Sequence, residues 1–222
     1  MTRLIGLLLL AVLSGCATRA PAPPPDAITP PIGAPAEGPA VYSLDIRVDD
    51  SGLKRLLQDN LDLARYRASE AALSRAELAR LAAAAPAQAE ALLETEGYFN
   101  AQVDVSRDPE DETRLRMTVT PGPLTRVGRV DLEFTEGLGE DEAQALRESL
   151  RNGWGLKPGA GFTQSQWATS KSDLLLRART GGFPLARWAE TAARVDPDSH
   201  TAELRLVMAS GNRARLGALR ID

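Results

Sequence analysis

The 222-residue sequence has one cysteine and one histidine, and aromatic residues make up only 5% of it. A single cysteine excludes a disulfide framework, and a single histidine excludes metal sites built from several His or Cys ligands. The chain also has no excess of positive charge: the formal net charge is −4, and acidic and basic residues are interspersed. A nucleic-acid surface would need a clustered basic stripe, so we expect no nucleic-acid partner.

Side chains that could carry out catalysis are equally few. His200 lies in a polar turn at 196–200 with no nucleophile nearby, which favours a solvent-facing turn residue over a catalytic base. Four glycines between positions 153 and 161 precede a predicted helix, but their spacing fits neither a P-loop nor a dinucleotide fingerprint. We therefore expect no enzyme, no metal site and no cofactor.

The N-terminus has the layout of a secretory signal. Residues 1–15 contain Arg3 and an apolar run at 4–13 that is too short to span a bilayer. The run ends at Leu-Ser-Gly-Cys16, which resembles the lipobox of bacterial lipoproteins. We predict that 1–15 is a signal peptide and that Cys16 is a lipid anchor, the alternative being an ordinary signal peptide with Cys16 as a bystander. The two residues after Cys16 are not acidic, which by resemblance to sorted lipoproteins favours the outer membrane.

The segment that follows, to residue 40, is rich in proline and alanine. Prolines supply no backbone donors, and the segment has few large apolar residues to bury. The composition predicts an extended, semi-rigid spacer, so we assign 16–40 to a lipidated Cys and a tether.

Residues 41–123 are predicted to form one α+β unit. Alternating apolar residues at 42–48 predict a half-buried strand, and helical spacing follows. Ser74 and Glu77 form a capping-box motif before a second helix, Pro86 is placed to open a further one, and Gly97 to end it. Period-two alternation then predicts strands at 98–106 and 115–119, joined by a polar turn.

A second unit with the same order is predicted at 124–211. Its opening strand covers 127–134, a helix covers about 139–150, and a motif at Thr163 and Gln166 caps another helix. The passage TPGPLTRVGRVDL at 120–132 is echoed by ASGNRARLGALRI at 209–221, so 212–222 is expected to be the start of a truncated third unit. The linker between the first two units is predicted at Gly122, Pro123, Leu124, Thr125 and Arg126.

Three passages in this order carry a family resemblance: LLETEGYFNAQV at 92–103, VTPGPLTRVGRVDL at 119–132 and GLKPGAGFTQSQW at 155–167. With the strand–helix–helix–strand–strand order, they resemble the POTRA domains of TamA-type factors in the Omp85 family. The resemblance implies tandem β-α-α-β-β domains, each with a three-stranded mixed sheet packed on helices. It also implies that the third strand of each unit lies centrally and the second at an edge.

An open edge can bind an extended segment of another chain by strand addition. In the first unit we expect Phe99, Ala101, Val103 and Val105 to face the core. The side chains that face outward are then those of Asn100, Gln102, Asp104 and Ser106. We expect a free backbone N–H at Gln102 or at Asp104, depending on the register.

By resemblance the partners are unfolded outer-membrane proteins or autotransporters and a TamB-like partner anchored in the inner membrane, with the chain on the periplasmic face of the outer membrane. Two alternatives stay open. One is the POTRA pair of a two-partner-secretion transporter, and the other is a stand-alone outer-membrane lipoprotein adaptor.

Overall fold

The computed structural model describes residues 41–68, 73–111 and 113–214. In these ranges the chain forms two three-stranded mixed sheets, each packed against helices, which confirms the predicted α+β class. The second unit has the β-α-α-β-β order, and the first has one additional short helix. The predicted signal peptide, the lipid anchor at Cys16 and the tether lie outside the described residues. So do positions 215–222 of the expected third unit.

The first sheet has the strand order β1-β3-β2, with β1 parallel and β2 antiparallel to the central β3. Its elements are β1 (Ser43–Arg47), α1 (Ser51–Asn60), α2 (Asp62–Ala68), α3 (Arg75–Thr95), β2 (Gln102–Arg107) and β3 (Arg114–Thr120). The starts of α1 and α3 follow from side chains that cap their free N–H groups. The Asp50 carboxylate accepts from the N–H groups of Gly52 and Leu53, and Ser74 and Glu77 make the predicted reciprocal capping box.

Helix α3 corrects one sequence prediction. Pro86 was expected to open a new helix, but it lies inside a single helix of 21 residues. A proline there removes one hydrogen bond and strains the preceding turn. Packing outweighs that cost, because one face of the helix is buried continuously on both sides of the proline: Leu78, Leu81, Ala82, Ala85, Ala89 and Leu93.

Replacing Pro86 by alanine should therefore stabilise the protein. Proline is about 3 kcal/mol less favourable than alanine inside a helix, and a gain of about 1–2 kcal/mol is expected once the helix has adapted to it. Urea unfolding followed by far-UV circular dichroism measures this gain. Pro86→Gly is the control and should give little of it; a loss of stability in Pro86→Ala would mean that the core requires the geometry imposed by the proline.

The second sheet repeats the topology with the order β4-β6-β5. Its elements are β4 (Arg126–Thr135), α4 (Gln144–Asn152), α5 (Gln164–Thr180), β5 (Arg187–Asp196) and β6 (Thr201–Ala209). The helix expected from about residue 139 starts later, because two short 3-10 turns, Glu136–Gly139 and Asp141–Ala143, precede α4. The buried Ser210 hydroxyl accepts from the Leu138 N–H, and the Arg147 guanidinium donates to the carbonyls of Leu138 and Glu140, which holds these turns in place.

Each sheet has its own apolar core. Leu57, Leu63, Leu93 and Met117 are fully buried in the first core, and Phe183, Leu138, Leu174 and Leu206 in the second. All three tryptophans of the sequence pack in the second core: Trp154, Trp167 and Trp188. Tryptophan fluorescence therefore reports on the second core alone, whereas circular dichroism reports on both.

Candidate functional site

Strand β2 forms one edge of the first sheet. It pairs with β3 in unbroken register from Gln102, opposite Thr120, to Arg107, opposite Leu115. No strand in the described ranges pairs with its other side. Its outward backbone groups are therefore open to a further strand.

Two hydrogen bonds fix which backbone groups of β2 are open. The Asp108 N–H donates to the Arg114 carbonyl at 2.9 Å, and on the opposite side of β3 the Ser43 N–H donates to the Thr113 carbonyl at 3.0 Å. Backbone groups of successive strand residues point to alternate sides. The backbone groups of Arg114 and of every second residue after it therefore bond to β2. Those of Thr113 and of every second residue after it bond to β1.

It follows that Gln102, Asp104 and Ser106 use their N–H and C=O groups within the sheet, and that Val103, Val105 and Arg107 direct theirs to the free edge. The expectation of a free donor at Gln102 or Asp104 is therefore wrong. The side chains nevertheless lie as predicted on the two faces: Gln102, Asp104 and Ser106 are exposed, and Val103 and Val105 pack on the first core.

Asn100 and Phe99 correct the predicted strand start. Both lie in a turn before β2 rather than in the strand. Phe99 does not face the first core: it packs on the second core and its ring stacks on Phe162 with centroids 6.4 Å apart. The Asn100 side chain donates to the Pro197 carbonyl at 2.8 Å, in the turn between β5 and β6. Asn100 is therefore a contact between the two sheets and not part of the edge.

The other edge strands differ from β2. The register of β5 shifts between Trp188 and Glu190, and that of β4 shifts between Val127 and Arg129. Bulges of this kind blunt an edge against further pairing. Strand β1 is regular but only five residues long, so β2 is the longest edge strand in the described ranges without a bulge.

The turn after β2 is stabilised by carboxylates. The Asp108 carboxylate accepts from the Glu110 N–H, and Asp111 accepts from the Thr113 hydroxyl and N–H. The Thr113 hydroxyl is the main reason that the pKa of Asp111 is held below its usual value. This turn joins β2 to β3, where the sequence predicts a polar turn.

The predicted linker is bonded to both halves of the structure. Thr125 is buried; its N–H donates to the Gly97 carbonyl at 2.9 Å and its carbonyl accepts from the Phe162 N–H at 2.9 Å. The Arg126 N–H donates to the carbonyl of His200, in the turn between β5 and β6. The backbone of the linker therefore helps to set how the second sheet follows the first.

Two further observations concern metal sites and membrane-spanning helices. Within the described ranges, no group of three or more His, Cys, Asp or Glu side chains is placed to hold a metal ion. Among the helices of the same ranges, none has the length and hydropathy that a bilayer crossing requires.

Comparison with known proteins gives one family match. The family model of POTRA domain 1 of TamA matches residues 44–121, which span β1 to β3. A comparison with curated proteins gives no match.

Several solved structures are similar at low identity. BamA POTRA domains 3–5 of Haemophilus influenzae share 18% identity, with 79% of this chain and 68% of that chain covered and a TM-score of 0.39. POTRA domains 1–2 of Omp85 from Anabaena share 15% identity, with 78% and 96% covered and a TM-score of 0.39. CdiB from Acinetobacter baumannii shares 11% identity over 78% of this chain and 30% of that one, with a TM-score of 0.36.

The family match falls on the segment whose strand order, helices and edge are described above. The second sheet repeats the same strand order and pairing from β4 to β6. Residues 44–121 therefore match the first POTRA domain of TamA, and the second sheet has the same strand topology.

Proposed function

We propose that the chain is the periplasmic POTRA region of a TamA-like factor for outer-membrane protein assembly or autotransporter translocation. In this proposal it binds extended segments of its clients by adding them as a strand beside β2. The domains run from 41 to 123 and from 124 to 211. The observation that carries the proposal is the unbroken edge of β2, whose open groups belong to Val103, Val105 and Arg107.

The chemistry of this edge suits many clients. An added strand is held by backbone hydrogen bonds, which every non-proline residue can make, so recognition depends little on sequence. Unfolded outer-membrane proteins and autotransporters would share this edge, and a TamB-like partner could present an edge strand of its own. The exposed side chains of Gln102, Asp104 and Ser106 would then adjust preference without making the main contacts.

Arg107→Pro should weaken binding about five- to tenfold, because it removes one open N–H, and a single hydrogen bond contributes about 0.5–1.5 kcal/mol. The Arg107 N–H makes no bond within the sheet and the side chain is exposed, so the proline costs the fold little. The measurement is fluorescence anisotropy of a labelled outer-membrane protein diluted from urea into the folded chain. Arg107→Ala is the matched control, since it removes the same side chain and keeps the N–H.

Ser106→Pro tests the register itself. The Ser106 N–H is used within the sheet, so this variant should lose stability while Arg107→Pro keeps it. Equal binding by the Arg107→Pro and Arg107→Ala variants, with both folded by circular dichroism, would show that clients do not use this edge.

We also propose that Cys16 is acylated and holds the chain at the periplasmic face of the outer membrane. Two or three acyl chains, at about 0.8 kcal/mol per buried methylene, would give a firm anchor. Cys16→Ala should abolish fatty-acid labelling in cells and release the protein from the membrane fraction. Labelling that persists in this variant, or a mature N-terminus beyond Cys16 by mass spectrometry, would contradict the proposal.

A further inference from the structure

The glycine-rich loop at 153–161 lies beside the start of β4. The Gly159 N–H donates to the Val127 carbonyl at 2.7 Å, and the Val127 N–H donates to the Ala160 carbonyl at 2.8 Å. Just after this pairing β4 has its bulge, between Val127 and Arg129. Beyond the bulge there is an open cavity of about 420 Å³ that is lined by both the strand and the loop, and we call it the loop cavity.

The lining of the loop cavity combines apolar and cationic side chains. Val130 and Leu132 of β4 are half-buried and also pack on the second core, and Pro158 lines the cavity from the loop. Arg151, at the end of α4, and Lys157, in the loop, line it with exposed side chains. A volume of this size, with apolar walls and a few polar groups, is typical of sites for small molecules.

The two cations of the loop cavity have no carboxylate partner. Among the described residues, neither Arg151 nor Lys157 belongs to an ion pair. The Arg151 guanidinium lies 5.4 Å from the centroid of the Phe134 ring, and the Lys157 ammonium donates to the Asn152 carbonyl at 2.8 Å. Both of these partners are uncharged. The cavity therefore carries two positive charges that these contacts do not balance.

The Trp154 indole also lines the loop cavity, and its N–H has no acceptor. Trp154 is 3% exposed, and its Nε1 is the one buried side-chain nitrogen or oxygen without a hydrogen-bond partner in the part of the chain that the structure describes. The ring contacts Trp167 edge to face, with centroids 6.0 Å apart, and an indole offers no lone pair as an acceptor. A buried donor that stays unpaired is costly, so an acceptor from outside the chain would stabilise it.

We propose that the loop cavity binds a small organic molecule that carries a carboxylate on an apolar body. An ionised carboxylate only accepts hydrogen bonds, and the unbalanced groups here only donate: the indole N–H of Trp154, the guanidinium of Arg151 and the ammonium of Lys157. Its two oxygens can accept from a guanidinium and an N–H at the same time. The apolar body lies along Val130 and Leu132 and removes their remaining exposed surface from water.

The charges of the lining favour an anion with a single charge. Asp131 also lines the loop cavity, and its carboxylate pairs with Arg205 at 3.2 Å. Because Asp131 partly offsets the two cations, a doubly charged anion is repelled more strongly than a carboxylate.

Nuclear magnetic resonance of the ¹⁵N-labelled 222-residue chain tests this proposal with octanoate as the probe. The indole N–H resonance of Trp154 should move downfield as octanoate is added, because its proton enters a hydrogen bond to an anion. The indole of Trp188, which does not line the cavity, is the internal control. Octanol and acetate are the matched ligands. Octanol lacks the charge and acetate lacks the apolar body, so each should bind about tenfold more weakly than octanoate, or worse.

Arg151→Ala and Lys157→Ala should each weaken octanoate binding about threefold, and the double variant about tenfold, because these exposed ion pairs are partly screened by solvent. Arg194→Ala is the control: it removes an exposed cation of β5 that does not line the cavity, so binding should not change. Trp154→Phe keeps an aromatic ring and assigns the indole resonance by its loss. It should weaken binding about tenfold, as read from the amide resonance of Leu132.

An unmoved Trp154 resonance at millimolar octanoate would overturn the proposal, and so would equal affinities for octanoate and either octanol or acetate. Wild-type affinity in the Arg151→Ala and Lys157→Ala double variant would also overturn it. These two substitutions change exposed side chains only, so the test stands even if Trp154→Phe does not fold. None of these results depends on whether β2 binds clients, because β2 belongs to the first unit.

Discussion

Gly97→Ala should lower the free energy of unfolding by about 3 kcal/mol or more. Two costs combine at this position. Alanine at φ +91° is strained by about 1–3 kcal/mol. Its methyl group would also lie 2.2 Å from the Phe162 carbonyl oxygen, which belongs to the backbone and cannot rotate away. Relieving such an overlap costs about 1–3 kcal/mol more.

Gly182→Ala is the matched control, because it makes the same substitution in the repeated turn. Its φ of +107° carries the strain, but the nearest group is the flexible Arg213 side chain at 3.4 Å. This variant should lose about 1–2 kcal/mol only. Urea unfolding by circular dichroism measures both losses. If the two alanine variants were equally stable, Gly97 would not contact Phe162 in solution, and the turn before β2 would not couple the two units.

Local sequence signals were sufficient for much of the fold. The capping residues Ser74 and Thr163 begin helices as predicted, since a side-chain acceptor meets the free N–H groups there. Gly97 and Gly182 end the preceding helices and turn the chain toward the edge strands. The family resemblance then predicted that the third strand of each unit lies at the centre of its sheet, and the structure confirms it.

The errors arose where tertiary contacts override a local pattern. Pro86 continues a helix because the buried face on either side holds it against the sheet. Phe99 fits the alternation of a strand, yet it packs on a core that lies later in the sequence. The residues of β2 with open N–H groups could not be predicted either. The alternation of side chains shows which face of the sheet each residue lies on, but it does not show whether its N–H and C=O groups point to β3 or to the free edge.

Phe183→Ala should lower the stability of the second unit by about 3–5 kcal/mol, the usual cost of truncating a buried phenylalanine. Phe183 is 1% exposed and is the largest of the fully buried side chains. It follows Gly182 in the turn between α5 and β5, so its ring joins that turn to the second core. Tyr98 holds the same place in the first unit but is only half-buried, at an open cleft of about 530 Å³ whose lining includes Leu53 and Leu124. Water already reaches that ring, so Tyr98→Ala should cost less than half as much.

Tryptophan fluorescence separates the two effects, because all three tryptophans pack in the second core. In Phe183→Ala the fluorescence midpoint in urea should fall well below the wild-type value. In Tyr98→Ala the fluorescence midpoint should stay nearly constant, while the part of the circular dichroism transition that comes from the first unit shifts. A fall of the fluorescence midpoint as large in Tyr98→Ala as in Phe183→Ala would mean that the two units unfold as one. In that case the contacts between the units, such as the Phe99–Phe162 ring pair, transmit the loss of packing from one core to the other, and stability belongs to the pair of units rather than to each.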